Sequence, residues 1–166
     1  MKTALDLHCE LLSRDIPHEI VRLPYAVSSV ADLPDALGVP ADQCMAVRVY
    51  AADDRLVAFG LGVGRQPRLD ALLQAADCLT LRMATRQEVS AATDFPAGLV
   101  PPLPLPPGMP LFVDAQLGQH DVLYTASGEQ GTALGIRTAE LLVASRARVA
   151  PLTAPSLADL VLDLEV

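Results

Sequence analysis

With 166 residues the chain has the length of one domain and enough mass to bury a substantial core. Half of its residues are hydrophobic (51%) and only 19% are charged, which excludes a disordered protein. A formal charge of −8 repels polyanions, so any contact with nucleic acid needs a local cationic site.

No apolar run approaches the roughly 20 residues of a membrane span. The N-terminal MKTALDLHCELLSRD carries acidic residues where a signal peptide has its apolar segment, so a cytoplasmic protein is expected. Cys9, Cys44 and Cys78 are odd in number and far apart, which predicts idle or buried thiols, neither metal ligands nor a disulfide.

Residues 3–14 predict an amphipathic helix, with Leu5, Cys9 and Leu12 near one face and Leu7 and Leu11 widening it. His18 to Leu23 suits a short strand or sheet edge. Ser28 or Ser29 caps a predicted helix through Asp35 to Leu37, which Gly38 closes before Pro40.

The run MAVRVY, the acidic ADDR and then LVAFGLGV form the clearest hairpin signal. Alternation sets Met45, Val47 and Val49 on one face and Ala46, Arg48 and Tyr50 on the other. Gly60, Gly62 and Gly64 lack the spacing of a phosphate loop and predict close backbone packing.

Leu69, Leu72, Leu73 and Ala76 then mark the buried stripe of a helix, and CLTLRMAT a strand. Thr85 with Glu88 three residues on is a capping box for RQEVSAA. Seven of the fourteen prolines follow within Phe95 to Asp114. Proline has no amide proton and a fixed φ, so this stretch predicts an extended or looped wall running into an apolar segment that ends at Asp114.

After a polar turn come the strand VLYTAS, the loop SGEQGT, the apolar run ALGI, a helix TAELLVASR with Thr138 as its cap, and a last strand RVAPL. The acidic amphipathic tail, residues 152–166, is expected to be a docked helix or a dimerisation arm. Strands and helices intersperse without regular βα alternation, which predicts one α+β domain over residues 1–166.

No pattern for nucleophilic catalysis is present. Ser127 sits in S-G-E, outside the G-x-S-x-G context, and is expected to make a local backbone hydrogen bond. His120 is expected to be a solvated turn residue, and Asp53 and Asp54 the hairpin turn.

The succession is more specific than any single feature: a hairpin with a glycine end, a Leu-rich helix, M-A-T-R-Q-E-V, F-P-A-G-L-V-P-P-L, P-L-F-V-D-A-Q-L, Y-T-A-S-G and I-R-T-A-E-L-L. From about Pro17 to Arg148 it resembles the YbaK and prolyl-tRNA-synthetase-associated editing-domain family. The resemblance implies a mixed, partly barrel-like sheet surrounded by helices. It further implies a trans-acting deacylase, without cofactor or metal, that cleaves the ester of a small wrong amino acid at the acceptor end of tRNA, alone or with an aminoacyl-tRNA synthetase.

In that family a G-x-x-x-P loop, here Gly98 to Pro102, offers backbone amides to the developing oxyanion. The match makes Gly98 and Leu99, with Arg48, the catalytic candidates. Ala46, Val100, Pro101, Pro102, Ser127 and Gly128 are the substrate-binding ones.

Three positions depart from the family pattern. Ala46 stands where the family carries a lysine, with Arg48 two residues on and on the same strand face. Pro101 and Pro104 replace a serine and a glycine of the loop, and a proline has no amide to offer. Leu99 is matched to a second glycine. These departures set an alternative reading beside the first: the same scaffold without turnover, binding a small molecule, a tRNA end or a synthetase.

Overall fold

A computed structural model describes residues 1–155. The expected tail from Ser156 onward lies outside the described residues. Among the described residues five helices, α1 (Ala4–Ser13), α2 (Leu33–Leu37), α3 (Leu69–Ala76), α4 (Arg86–Thr93) and α5 (Thr138–Ser145), surround one mixed sheet. Its strands are β1 (His18–Arg22), β2 (Cys44–Ala52), β3 (Arg55–Gly62), β4 (Leu81–Met83), β5 (Leu111–Asp114), β6 (Val122–Ala126), β7 (Thr132–Arg137) and β8 (Arg148–Ala150). The order is β1-β7-β6-β2-β3-β5-β8, with β4 on β2, so the α+β expectation holds and the sheet path is open at β1 and β8.

The β2–β3 hairpin forms around Asp53 and Asp54, as its alternation predicts, with Met45 opposite Gly62 and Ala52 opposite Arg55. Met45, Val47 and Val49 enter the main core beside Leu7, Leu11, Phe95, Val100 and Leu103. On the opposite face Tyr50 joins a second cluster with Phe59, Leu72 and Phe112, and Ala46 packs against a third that contains Leu33, Cys44 and Leu99. A Cβ on Gly60 would fall 2.7 Å from the Met45 sulfur, so that glycine serves close packing.

Three expectations change. In α1 the buried face is Ala4, Leu7 and Leu11, while Leu5, Cys9 and Leu12 face outward. Both stripes have helical spacing, and it is docking against β1 and the core, not period, that selects between them. In α3, Leu72 and Ala76 are buried, whereas Leu69 at the first turn is exposed. Thr138 is not the cap of α5: Arg137 occupies that position without a side-chain bond, and the Thr138 hydroxyl instead donates to the His120 carbonyl.

The capping box of α4 is present in both directions, and Arg82 adds a bidentate contact to Glu88 at 2.8 and 3.1 Å. The Arg82 hydrogen bonds, and after them the Thr85 amide, pull the Glu88 carboxyl down to about 2. A carboxylate depressed in the folded state contributes stability above its unfolded value, and that contribution disappears as pH falls toward about 2. Glu88→Gln is accordingly expected to lower the thermal midpoint at pH 7 and to leave it unchanged near pH 2, measured by circular dichroism.

Asp114 ends β5 as a buried carboxylate that accepts from the Leu152 amide (2.9 Å) and the Thr153 hydroxyl (2.5 Å). The Arg65 guanidinium also donates to Thr153, and Pro67 bridges to it. The first residues of the expected tail, Leu152 and Thr153, are thereby fixed to the sheet. Truncating Asp114 to Ala strips two partners inside the core and should cost roughly 3–5 kcal/mol in urea unfolding. Asp114→Asn, which keeps an acceptor, should lose less; equal losses would contradict the hydrogen-bond account.

Candidate functional site

One edge of β2 is left open in its middle. β3 accompanies the strand from Met45 to Ala52, but the other edge is shared by β6, paired only at Cys44 and Met45, and β4, paired only at Tyr50 to Ala52. Ala46, Val47 and Arg48 lie in the gap between these partners. Ala46 packs against the cluster that holds Leu99 of the loop 95–102, Ala126 at the head of the loop 127–131, and Val27 and Val30 of the loop before α2.

The loops are fastened to one another through backbone. Val27 donates to the Gln130 carbonyl (2.9 Å), Leu23 to Gly131 (2.9 Å) and Val30 to Gly98 (3.3 Å). A Cβ on Gly98 would lie 2.5 Å from the Ser28 carbonyl oxygen, so glycine is needed there for close approach of two chains. Gly128 combines a φ of +97° with a Cα against the Phe95 ring, where a Cβ would come within 2.5 Å of two ring carbons. Gly98 is therefore held against the Ser28 turn, and Gly128 against Phe95, three residues before Gly98.

Leu99 is buried in the cluster against which Ala46 packs. Its amide donates to the Pro96 carbonyl at 2.9 Å and is occupied in a turn. Among the described residues the amides of Gly98 and Val100 have no protein acceptor, which leaves two donors in the loop. Val100 turns into the main core, and Pro101 and Pro102 are buried beside it, so the proline-rich stretch is a packed wall. The Leu103–Pro104 peptide is cis.

Ser127 does what its local sequence predicts. Its buried hydroxyl lies 2.7 Å from the Thr132 hydroxyl and 3.0 Å from the Thr132 carbonyl, and it accepts from the Glu129 amide, bracing its own loop. Arg48 is half-buried on the face it shares with Ala46, directly opposite Phe59. No hydrogen bond or ion pair to another described residue engages its guanidinium.

Phe95, Ser28 and the Val30 turn contribute to this junction without having been named as site residues. Phe95 had a visible place, at the head of the F-P-A-G run; the carbonyl of Ser28 carried no side-chain signal at all. His120 corrects the expectation of a solvated turn. Its ring is largely covered and lies 3.4 Å from the Asp42 carboxylate, which also accepts from Gln116. His8 and His18 meet at 2.7 Å near the start of β1, away from these loops. Burial pushes the Cys44 thiol up to about 12, which keeps it protonated and inert at neutral pH. No group of three or more His, Cys, Asp or Glu among the described residues is arranged to hold a metal. No described helix is long and apolar enough to cross a membrane.

The loops offer two backbone donors and a packed apolar wall, and Arg48 lies on the sheet face it shares with Ala46. The family model for the aminoacyl-tRNA editing domain matches residues 25–143. Curated protein sequences yield no significant match. Among solved structures, a proposed trans-editing enzyme for prolyl tRNA synthetase superposes with a TM-score of 0.83 at 23% identity, covering 93% of this chain and 99% of its own. The hypothetical protein APE2540 gives 0.82 at 23% identity, covering 89% and 99%. A scaffold from computational epitope grafting gives 0.83 at 24% identity, covering 92% and 97%.

Proposed function

The chain belongs to the aminoacyl-tRNA editing domain family, and from that premise we propose that it is a trans-acting deacylase that hydrolyses the ester joining a mischarged small amino acid to the acceptor end of tRNA. The observation that carries this reading is the fastening of the loops that hold Gly98 and Gly128, with Leu99 of the first loop in the cluster that Ala46 packs against beside the open edge of β2. A carbonyl placed against the Gly98 and Val100 amides has two donors for its oxyanion. A water oriented by the tRNA's own hydroxyl supplies the attacking oxygen and gives its proton to the departing ribose oxygen, so the amino acid is released as a free carboxylate and no protein nucleophile is needed. Attack forms the bond to the carbonyl carbon, the ester C–O bond breaks, and the ribose oxygen leaves with a proton.

Arg48 takes the place of the missing lysine in this scheme. Its guanidinium is broader and more weakly hydrated than an ammonium, and suits the phosphate or ribose of the terminal nucleotide. The packed leucine and proline wall discriminates amino acids by steric exclusion, since one methyl group alone gives limited selectivity. A synthetase that hands over the mischarged tRNA is the partner this reading allows.

A second reading is favoured by the turn at Leu99, whose amide is spent on Pro96, and by Ala46 in the lysine position. In it the scaffold binds a tRNA end, a small molecule or a synthetase without turnover. A panel of mischarged tRNAs separates the two. Release of one amino acid above the spontaneous rate supports the deacylase, and binding of the same RNAs with no release supports the binding module.

A further inference from the structure

A cavity at the C-terminal end of α3 is lined by two arginines, Arg55 and Arg148, over a floor of Met109, Pro110 and Phe112, with a volume of about 500 Å³. Strand register connects it to the site already described. Arg48 lies opposite Phe59, Phe59 opposite Phe112, and Phe112 opposite Arg148, so one row across four strands reads Arg–Phe–Phe–Arg on a single face. The two rings stack with centroids 5.5 Å apart, and the Arg148 guanidinium stands 6.0 Å above Phe112. At about 4.8 Å per strand, the two arginine positions are roughly 14 Å apart.

Both cavity cations are held in place yet are left without an ion pair among the described residues. Arg55 donates one amino group to the Ala76 carbonyl at the C-terminal end of α3 (2.7 Å), which leaves its other donors for a ligand. Arg148 is oriented by the ring beneath it. The nearest acid on the hairpin, Asp53, has its carboxylate taken up by the Thr80 and Leu79 amides and the Thr80 hydroxyl. Asp77 also lines the cavity and the Asp53 charge still acts on Arg55, but neither acid forms an ion pair with either arginine among the described residues. In a chain of net charge −8, two oriented and unpaired guanidiniums in one concavity mark a place for an anion.

We propose that this cavity binds a nucleotide phosphate. The forked donors of Arg55 and Arg148 take its oxygens, and the Met109–Pro110 floor takes the adjoining sugar or base. The proposal draws on the deacylase reading for the source of that phosphate: Phe59 and Phe112 between the two arginines are buried under α3, so an RNA whose 3′ end is at Arg48 passes around that cover, and at about 3.4 Å per charge the phosphate it brings to the cavity lies more than about four nucleotides from that end. A free mononucleotide presents the same chemistry.

The test measures binding of an RNA hairpin ending in 3′-CCA, and separately of AMP, to the full chain by fluorescence anisotropy and competition at 50 and 200 mM salt. For the hairpin, removing either arginine (Arg55→Ala or Arg148→Ala) is expected to weaken binding and to shrink the ratio of Kd at the two salts by about threefold, the loss of one phosphate contact. Arg55→Lys and Arg148→Lys, which keep the charge, should retain most of that ratio. Arg146→Ala, at the exposed end of α5, should change nothing. Failure of AMP to compete identifies an RNA phosphate, and arginine-dependent binding of AMP identifies a free nucleotide as occupant. Unchanged affinity and salt ratio in both alanine variants, or no binding of either probe by the wild-type chain, overturns the site. Turnover of mischarged tRNA is measured separately, so loss of the deacylase reading with arginine-dependent binding intact leaves this site standing.

Discussion

Gly98→Ala is expected to reduce single-turnover deacylation of the cognate mischarged tRNA by at least about a hundredfold, the scale seen when one oxyanion donor is displaced. The added Cβ would stand 2.5 Å from the Ser28 carbonyl oxygen, a distance at which backbone must move. Either the loop lifts from the Ser28–Val30 turn and the Val30 to Gly98 hydrogen bond opens, or the turn itself shifts. In both cases the amides of Gly98 and Val100 leave their positions relative to Ser127 and Gly128. Gly98→Pro adds the loss of the amide itself and should be no more active. Overpacking of this kind costs about 1–3 kcal/mol, so the variant stays folded while its activity falls. Gly118→Ala is the matched control, because a Cβ there meets nothing within 4 Å. Full activity in Gly98→Ala with an unchanged thermal midpoint would show that neither the close approach nor the loop amides matter.

What could be read in the sequence divides along physical lines. The hairpin, the capping box at Thr85 and the left-handed residue at Gly38 are local devices, written in consecutive residues, and all appear in the structure. The proline-rich stretch was legible as a wall because proline forbids both helix and central strand. Choices between equivalent surfaces were not legible. The two stripes of α1 differ by about one residue's rotation, and only the core's position selects Leu7 and Leu11 over Leu5 and Leu12. Thr138 looked like a cap because hydroxyls cap helices, but the long-range acceptor at His120 draws it away.

The same division runs through the site. Gly98, Ser127 and Gly128 were visible as candidates because small residues carry a family pattern, and the structure packs Gly128 against Phe95 at the head of the Gly98 loop. The Ser28 carbonyl and the spent amide of Leu99 were not, since backbone groups leave no mark on residue identity. Arg148 is illegible for a different reason: its significance lies in a row of four strands whose members are up to 100 residues apart in the chain, from Arg48 to Arg148.

Arg48 is the residue on which turnover and mere binding part company. If it acts as the displaced cation, Arg48→Ala should lower kcat/KM for mischarged tRNA by about a hundredfold, as loss of a charge stabiliser at a developing anion does. Among the described residues the half-buried guanidinium has no partner to strand, so the fold should tolerate the change with a loss within about 1 kcal/mol. Ala46→Lys in the same background returns a cation to the position two residues earlier on the same strand face and should recover a large part of the lost activity. Ala46→Lys alone puts two cations on one face, where mutual repulsion offsets the gain, so it should raise activity little. The decisive comparison is between the single variant Arg48→Ala and the double variant, in single-turnover assays at pH 7 with thermal midpoints matched. Rescue identifies a mobile requirement for positive charge that this chain meets from Arg48. Wild-type activity in Arg48→Ala would assign the chemistry to the loop amides and the tRNA hydroxyl alone, and would make the arginine a contact to the nucleotide end without a part in ester cleavage.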